Sequence, residues 1–187
     1  MSQFCEHRNG NTTKSGCIVL IGIGANLPGP DGQPPLQTCR QAVARLQAFP
    51  DMRHGGHSRW FLSQPVPPSG QPPYVNAVLA LLVDPGVTLD PAALLARLMA
   101  VENAFGRARS VANAARTLDL DIIAIGDLVR RQPDPVLPHP RAQLRAFELA
   151  PLADVAPRWV HPLTGRTAAE MLADLPPQDI APLTDGS

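Results

Sequence analysis

The chain has 187 residues, 44% of them hydrophobic, and a formal net charge of zero. That length fits one compact domain with a real core, and the charge balance speaks against a nucleic-acid binder, which usually carries a basic surplus. The three cysteines, Cys5, Cys17 and Cys39, make no CxxC pair, which argues against a disulfide framework or a zinc knuckle and suits a reducing cytosol.

Met1 to Ser15 is polar and lacks the apolar stretch of a signal peptide. Residues 1–16 are therefore expected to be a flexible tail, 17–175 a single domain and 176–187 a C-terminal tail. Cys17 to Ile23 is a short β-branched run, too short to span a bilayer, and reads as a buried strand. Gly22, Gly24 and Asn26 are expected to end it in a turn. A Pro/Gly loop follows, then a helical stripe through Leu36, Cys39, Val43 and Leu46. Met52 to Leu62 is a weakly signalled second strand, and Ser63 to Pro73 reads as loop. Tyr74 to Val83 is a strand stopped by Asp84-Pro85-Gly86. Asp90-Pro91 predicts a helix start, with Asp as N-cap and Pro in the first turn. That helix carries Leu94, Leu98, Val101 and Phe105 and stops at Gly106. Leu118 to Ile125 is a further strand. Gln143 to Leu149 reads as a short helix before Pro151, and Ala168 to Leu175 as a last weak helix. The order β-α-β-β-α-β predicts an α+β fold, a ferredoxin-like, mostly antiparallel sheet with helices on one side.

Arg116-Thr-Leu-Asp119-Leu-Asp121-Ile-Ile is the sharpest chemical signal. Alternation along a strand points Asp119 and Asp121 one way and Leu118, Leu120 and Ile122 the other. Two carboxylates about 7 Å apart along a strand suit hard cations held together with substrate phosphates. The same spacing also fits a half-exposed strand whose outer face is acidic. Asp is disfavoured in strands, which tilts the reading towards metal.

Arg107, Arg109 and Arg116 flank the small, polar stretch Ser110 to Ala115. Their planar forks match phosphate oxygens, although a solvated turn explains them as well. His139, within Pro138-His139-Pro140-Arg141, reads as a phosphate donor or a plain loop histidine. Tyr74 and Asn76 share a strand face, where an aromatic beside an amide suits a flat heterocycle. An ordinary strand start has the same appearance.

Taken in order, five segments resemble the hydroxymethyldihydropterin pyrophosphokinases of folate synthesis. They are Ile21-Gly-Ile-Gly-Ala-Asn26-Leu; Pro67-Pro-Ser-Gly70 with Gln71-Pro-Pro-Tyr74-Val-Asn76-Ala; Glu102 with Gly106-Arg107-Ala-Arg109; Arg116-Thr-Leu-Asp119-Leu-Asp121-Ile; and Pro138-His139-Pro140-Arg141 with Arg145-Ala-Phe147-Glu-Leu-Ala-Pro-Leu. The resemblance implies a three-layer α/β/α sandwich and transfer of diphosphate from ATP to a pterin alcohol. It implies two Mg²⁺ ions on Asp119 and Asp121, with Arg107 and Arg116 acting on the phosphates. Glu102, Arg107, Arg109, Ile122, His139 and Arg145 would line the ATP site, with Arg116 nearby. Tyr74 and Phe147 would sandwich the pterin, Asn76 would bond its edge, and the backbone at Val66 and Pro67 would close the pocket. Two loops depart from the family pattern. Val111-Ala-Asn-Ala-Ala115 replaces a Trp-Gly-Pro stretch and a further Arg, and is about one residue shorter. The Gly70 to Tyr74 loop is also short.

The expected partners are thus ATP and a reduced pterin, in a cytoplasmic monomer with no nucleic-acid or membrane partner. Three other readings are an impaired pterin- or ATP-binding homologue, a ferredoxin-like RNA-binding module, and another metal-dependent phosphotransferase on the same kind of sheet.

Overall fold

A computed structural model of the chain describes residues 16–107 and 115–184. The strands are β1 (Ile18–Ala25), β2 (Met52–His57), β3 (Phe61–Ser63), β4 (Tyr74–Val83), β5 (Asp119–Ile125) and β6 (Ile180–Pro182). The helices are α1 (Pro35–Gln47), α2 (Pro91–Ala104), α3 (Ala146–Val155) and α4 (Ala168–Ala173). The sheet order is β5-β1-β4-β3-β6, and β2 also pairs with β4. Every pairing is antiparallel. The α2 start is capped as its sequence predicts, with the Asp90 side chain accepting from Ala92 N at 2.9 Å.

Strand alternation sorts the core onto two faces. Val19, Ile21 and Ile23 of β1, Leu79, Leu81 and Val83 of β4, and Leu120 and Ile122 of β5 pack with α1 and α2. Leu20, Val78, Ala80 and Ile123 face the other way and pack with Leu149 and Leu152 of α3 and Met171 of α4. Helices therefore cover both faces, which gives the three-layer α+β arrangement and corrects the one-sided reading drawn from element order.

Several expectations change in detail. Gly22 and Gly24 lie inside β1, not in a turn. The strand expected over Met52 to Leu62 is two strands, because the chain leaves β4 at Ser58. There the Ser58 hydroxyl accepts from Val78 N at 3.0 Å, while Ser58 N donates to Val78 O at 2.9 Å. The short helix expected over Gln143 to Leu149 is a 3-10 turn, Ala142–Leu144, followed by α3. That helix runs through Pro151, which removes only the one hydrogen bond to the Phe147 carbonyl. The segment expected as a C-terminal tail supplies β6, which pairs with β3 through Ile180↔Ser63, Ala181↔Leu62 and Pro182↔Phe61. Among the described residues no helix is long and apolar enough to cross a membrane. The expected N-terminal tail lies almost wholly outside the described residues.

Candidate active site

Helices α3 and α4 cover only part of the second sheet face. Beyond Leu20, Val78 and Ile123, the same face continues through Gly22 and Gly24 on β1, Asn76 and Tyr74 on β4, and Asp121 and Asp119 on β5. Register places these in rows: Gly22 lies between Asp121 and Val78, and Gly24 between Asp119 and Asn76. With no side chain at either glycine, the sheet surface stays open between the carboxylates and the amide. Above it lies a cavity of about 440 Å³.

The cavity brings together most of the residues singled out in the sequence. Val66, Pro67, Tyr74, Asn76, Arg107, Arg116, Asp119, Asp121, Arg145 and Phe147 all line it. Three others do not. The Ile122 side chain is buried in the α1/α2 core. Glu102 is buried beneath the site, where Oε1 accepts from Leu120 N at 2.8 Å and pairs with Arg107. His139 is next to a lining residue, its Nδ1 3.7 Å from Glu148 Oε2. Arg109 lies outside the described residues, as does most of the Ser110 to Ala115 loop.

Asp119 is held by two arginines, with Arg107 Nη1 at 2.7 Å and Arg116 Nη1 at 2.6 Å. Burial alone would lower the Arg116 guanidinium, but Asp119 beside it raises it above its ordinary value. Asp121 differs from Asp119. Burial, then the Asp119 charge, pushes its carboxyl above the usual range. Such a carboxylate gains from a cation.

Asn26 links the rims of the site. Its Oδ1 accepts from Arg116 N at 2.8 Å, and its Nδ2 donates to Pro72 O at 3.1 Å and Gln71 Oε1 at 3.3 Å. Gln71 Oε1 also accepts from the Tyr74 hydroxyl at 3.1 Å. The Asn76 Nδ2 donates to Ser63 Oγ at 2.9 Å and Tyr74 O at 3.2 Å. That fixes the amide, with Oδ1 lying over Gly24. On the opposite wall, Arg145 lies 5.2 Å from the Phe147 ring centre and donates to Glu148 Oε1 at 2.7 Å.

The lining residues that escaped the sequence-based site list include Gly22, Gly24, Arg141 and Glu148. The glycines had a readable signal, since a two-residue spacing inside a strand marks one bare face. Arg141 stood within a quoted motif. Glu148 stood within the last quoted motif too, where no role was assigned to it.

The donor set fits magnesium. Asp119 and Asp121 offer hard oxygens on one face of a cavity, and Asp121 is a desolvated carboxylate. Among the described residues no group of three metal-ligating side chains forms. The pair therefore suits an ion that takes few protein carboxylates and completes its shell with phosphates and water.

A family model for 7,8-dihydro-6-hydroxymethylpterin-pyrophosphokinase matches residues 20–157. A 2-amino-4-hydroxy-6-hydroxymethyldihydropteridine pyrophosphokinase of Synechocystis is 35% identical over 168 residues, covering 90% of this chain and 81% of its own. That of Pseudomonas aeruginosa is 39% identical over 158 residues, covering 84% and 91%. A solved HPPK-DHPS triple mutant of Plasmodium falciparum with pteroate superposes with a TM-score of 0.62 over 86% of this chain, at 10% identity. This chain spans 43% of that one, so the likeness is one of fold. Family model, relatives and fold agree: the chain belongs to the 7,8-dihydro-6-hydroxymethylpterin-pyrophosphokinase family.

Proposed function

We propose that this chain is an ATP-dependent pyrophosphokinase of folate biosynthesis, which transfers diphosphate from ATP to 6-hydroxymethyl-7,8-dihydropterin and releases AMP. The observation that carries this reading is one cavity with two kinds of lining. Asp119, Asp121, Arg107 and Arg116 supply its charge, and Tyr74, Asn76 and Phe147 supply ring and amide surface.

The pterin belongs between Tyr74 and Phe147, with Val66 and Pro67 at the rim. Because the Asn76 Nδ2 is engaged by Ser63 and Tyr74, its Oδ1 is the atom left to accept an N–H from the ring edge. The polyphosphate belongs to Arg107, Arg109, Arg116, His139 and Arg145. Glu102 acts from beneath, by fixing Arg107 and the start of β5, and Ile122 acts only through its main chain. Asp119 and Asp121 would hold two magnesium ions, which when bound supply charge neutralisation at the phosphoryl oxygens.

Arg107 and Arg116 both pair with Asp119, so their guanidinium groups stand at the carboxylate face where the phosphate oxygens would lie. The pterin hydroxymethyl oxygen then forms its bond to the β-phosphorus, and the bond from that phosphorus to the α,β-bridging oxygen breaks. The electron pair leaves with AMP, and the hydroxyl proton passes to solvent. No side chain is needed as a strong base, since positioning and charge stabilisation dominate phosphoryl transfer. The same proposal takes a monomer in the cytoplasm as the active unit.

The test is chromatographic. The protein is incubated with ATP, Mg²⁺ and the reduced pterin alcohol, each also omitted in turn. AMP and a pterin diphosphate should form together, and only in the complete mixture. Pterin-independent hydrolysis, or ADP as the product, would overturn the reading.

A further inference from the structure

Glu148 is the one buried carboxylate of the cavity that the proposed reaction leaves without a task. It sits in the first turn of α3, 5% exposed. Its Oε1 accepts from Arg145 Nη1 at 2.7 Å. Among the described residues its Oε2 has no hydrogen-bond partner, and neither has the buried Nδ1 of His139, 3.7 Å away. Two unsatisfied polar atoms that face each other across less than 4 Å are costly apart and need only a small ring rotation to meet. Arg145 is constrained further by the Phe147 ring, at 5.2 Å from its centre. His139 is tied by its backbone, with N donating to Ile123 O at 2.8 Å. One carboxylate thus stands between two cationic-capable side chains that come from different segments of the chain.

We propose that Glu148 is a positioning residue for nucleotide binding, the shared anchor that sets Arg145 and His139 relative to the cavity so that both reach the polyphosphate. It touches no reacting atom in this role. With Arg145 held through Nη1, its other nitrogens are left for phosphate. With Nδ1 turned to Glu148, the imidazole presents Nε2 on its far side. Ordering both donors beforehand removes part of the entropy cost of capturing a flexible triphosphate. This inference rests on the reading of the cavity as an ATP site.

The experiment uses the full chain and α,β-methylene ATP with magnesium as probe. Affinities for the probe and for the reduced pterin are measured by calorimetry, beside thermal melting. Glu148→Met keeps the side-chain length without an acceptor and avoids a buried cavity. It should lose at least about tenfold in probe affinity, as expected for a lost charge-assisted contact, with pterin affinity within about twofold and Tm not lowered. Glu148→Gln, which retains an oxygen for Arg145, should recover to within about threefold of the parent. On an Arg145→Ala background, Glu148→Met should add little further loss, because the two act as a unit. Parent-like probe binding by Glu148→Met would overturn the positioning role alone. So would a joint fall in both affinities and Tm, or full additivity with Arg145→Ala. A parent that binds no probe would overturn both this role and the ATP reading.

Discussion

Adding one methyl group at Gly24 separates the demands of the fold from those of the site. A Cβ built there lies 3.4 Å from Asn76 Oδ1 and 3.9 Å from Asp119 Cβ, both ordinary contacts. The position lies within β1, one residue from its end, so a side chain is sterically and conformationally acceptable. Glycine inside a strand costs about 0.5–1 kcal/mol relative to alanine, and about 1 kcal/mol shifts Tm by about 2–4 °C in a domain of this size. Gly24→Ala should therefore melt about 1–4 °C higher than the parent. The same methyl rises into the cavity between the amide and the carboxylate. Overpacking a fitted contact costs about 1–3 kcal/mol, which corresponds to a loss of about 5-fold to 150-fold in affinity. Calorimetry with the reduced pterin and with an ATP analogue, beside thermal melting, measures both sides. Unchanged affinity for both ligands in a folded Gly24→Ala protein would refute the idea that the bare strand is the floor of the binding site.

Asp121→Asn should abolish diphosphate transfer yet raise Tm at neutral pH. Its folded pKa is raised by burial and by Asp119, so the charged form weighs against folding above the ordinary carboxylate range; melting curves and AMP release check the pair of outcomes. Asp51 has the opposite sign, because a hydrogen bond from Arg97, with Nη1 at 2.6 Å from Oδ2, holds its carboxyl low. Its contribution is present above the unfolded value of about 3.9 and is lost as pH falls through the lower folded value. Asp51→Asn should therefore flatten the acid limb of a plot of Tm against pH, and an unchanged limb would count against that ion pair. Burial pushes the Cys39 thiol up to about 12, so peptide mass spectrometry should find Cys39 unmodified by iodoacetamide in the native protein and modified after unfolding.

The acidic strand, the Asp90-Pro91 cap and the two apolar strands around Tyr74 and Cys17 were legible because their signals are local. Period-two alternation alone placed Asp119 and Asp121 on one face. What escaped the sequence depends on contacts between distant segments. The break at Ser58 exists because a hydroxyl takes the place of a ladder partner opposite Val78. Helix α3 passes Pro151 because packing of Leu149 and Leu152 on the sheet outweighs one missing hydrogen bond. Glu148 looks like any first-turn acid of a helix, and only tertiary placement beside His139 and Arg145 gives it meaning. The second helix layer was implied by the family resemblance and not by element order, since α3 and α4 carry short, weakly patterned apolar runs.

The C-terminal segment joins opposite walls of the cavity. Residues 180–182 pair with β3, and Gln64 N donates to Asp179 O at 3.2 Å, beside the rim that carries Pro65 to Pro67. Across the opening, the Gln178 side chain accepts from Ala146 N at 2.9 Å and donates to Leu144 O at 3.0 Å, at the entrance to α3. The family match ends at residue 157, so a polypeptide stopped after α4 would carry every recognisable motif and still lack this strap. A nascent chain emerges from the ribosome N-terminus first. The sheet core and both helix layers can then assemble before the two walls are bound together, so the site is finished only after residues 178–182 have emerged.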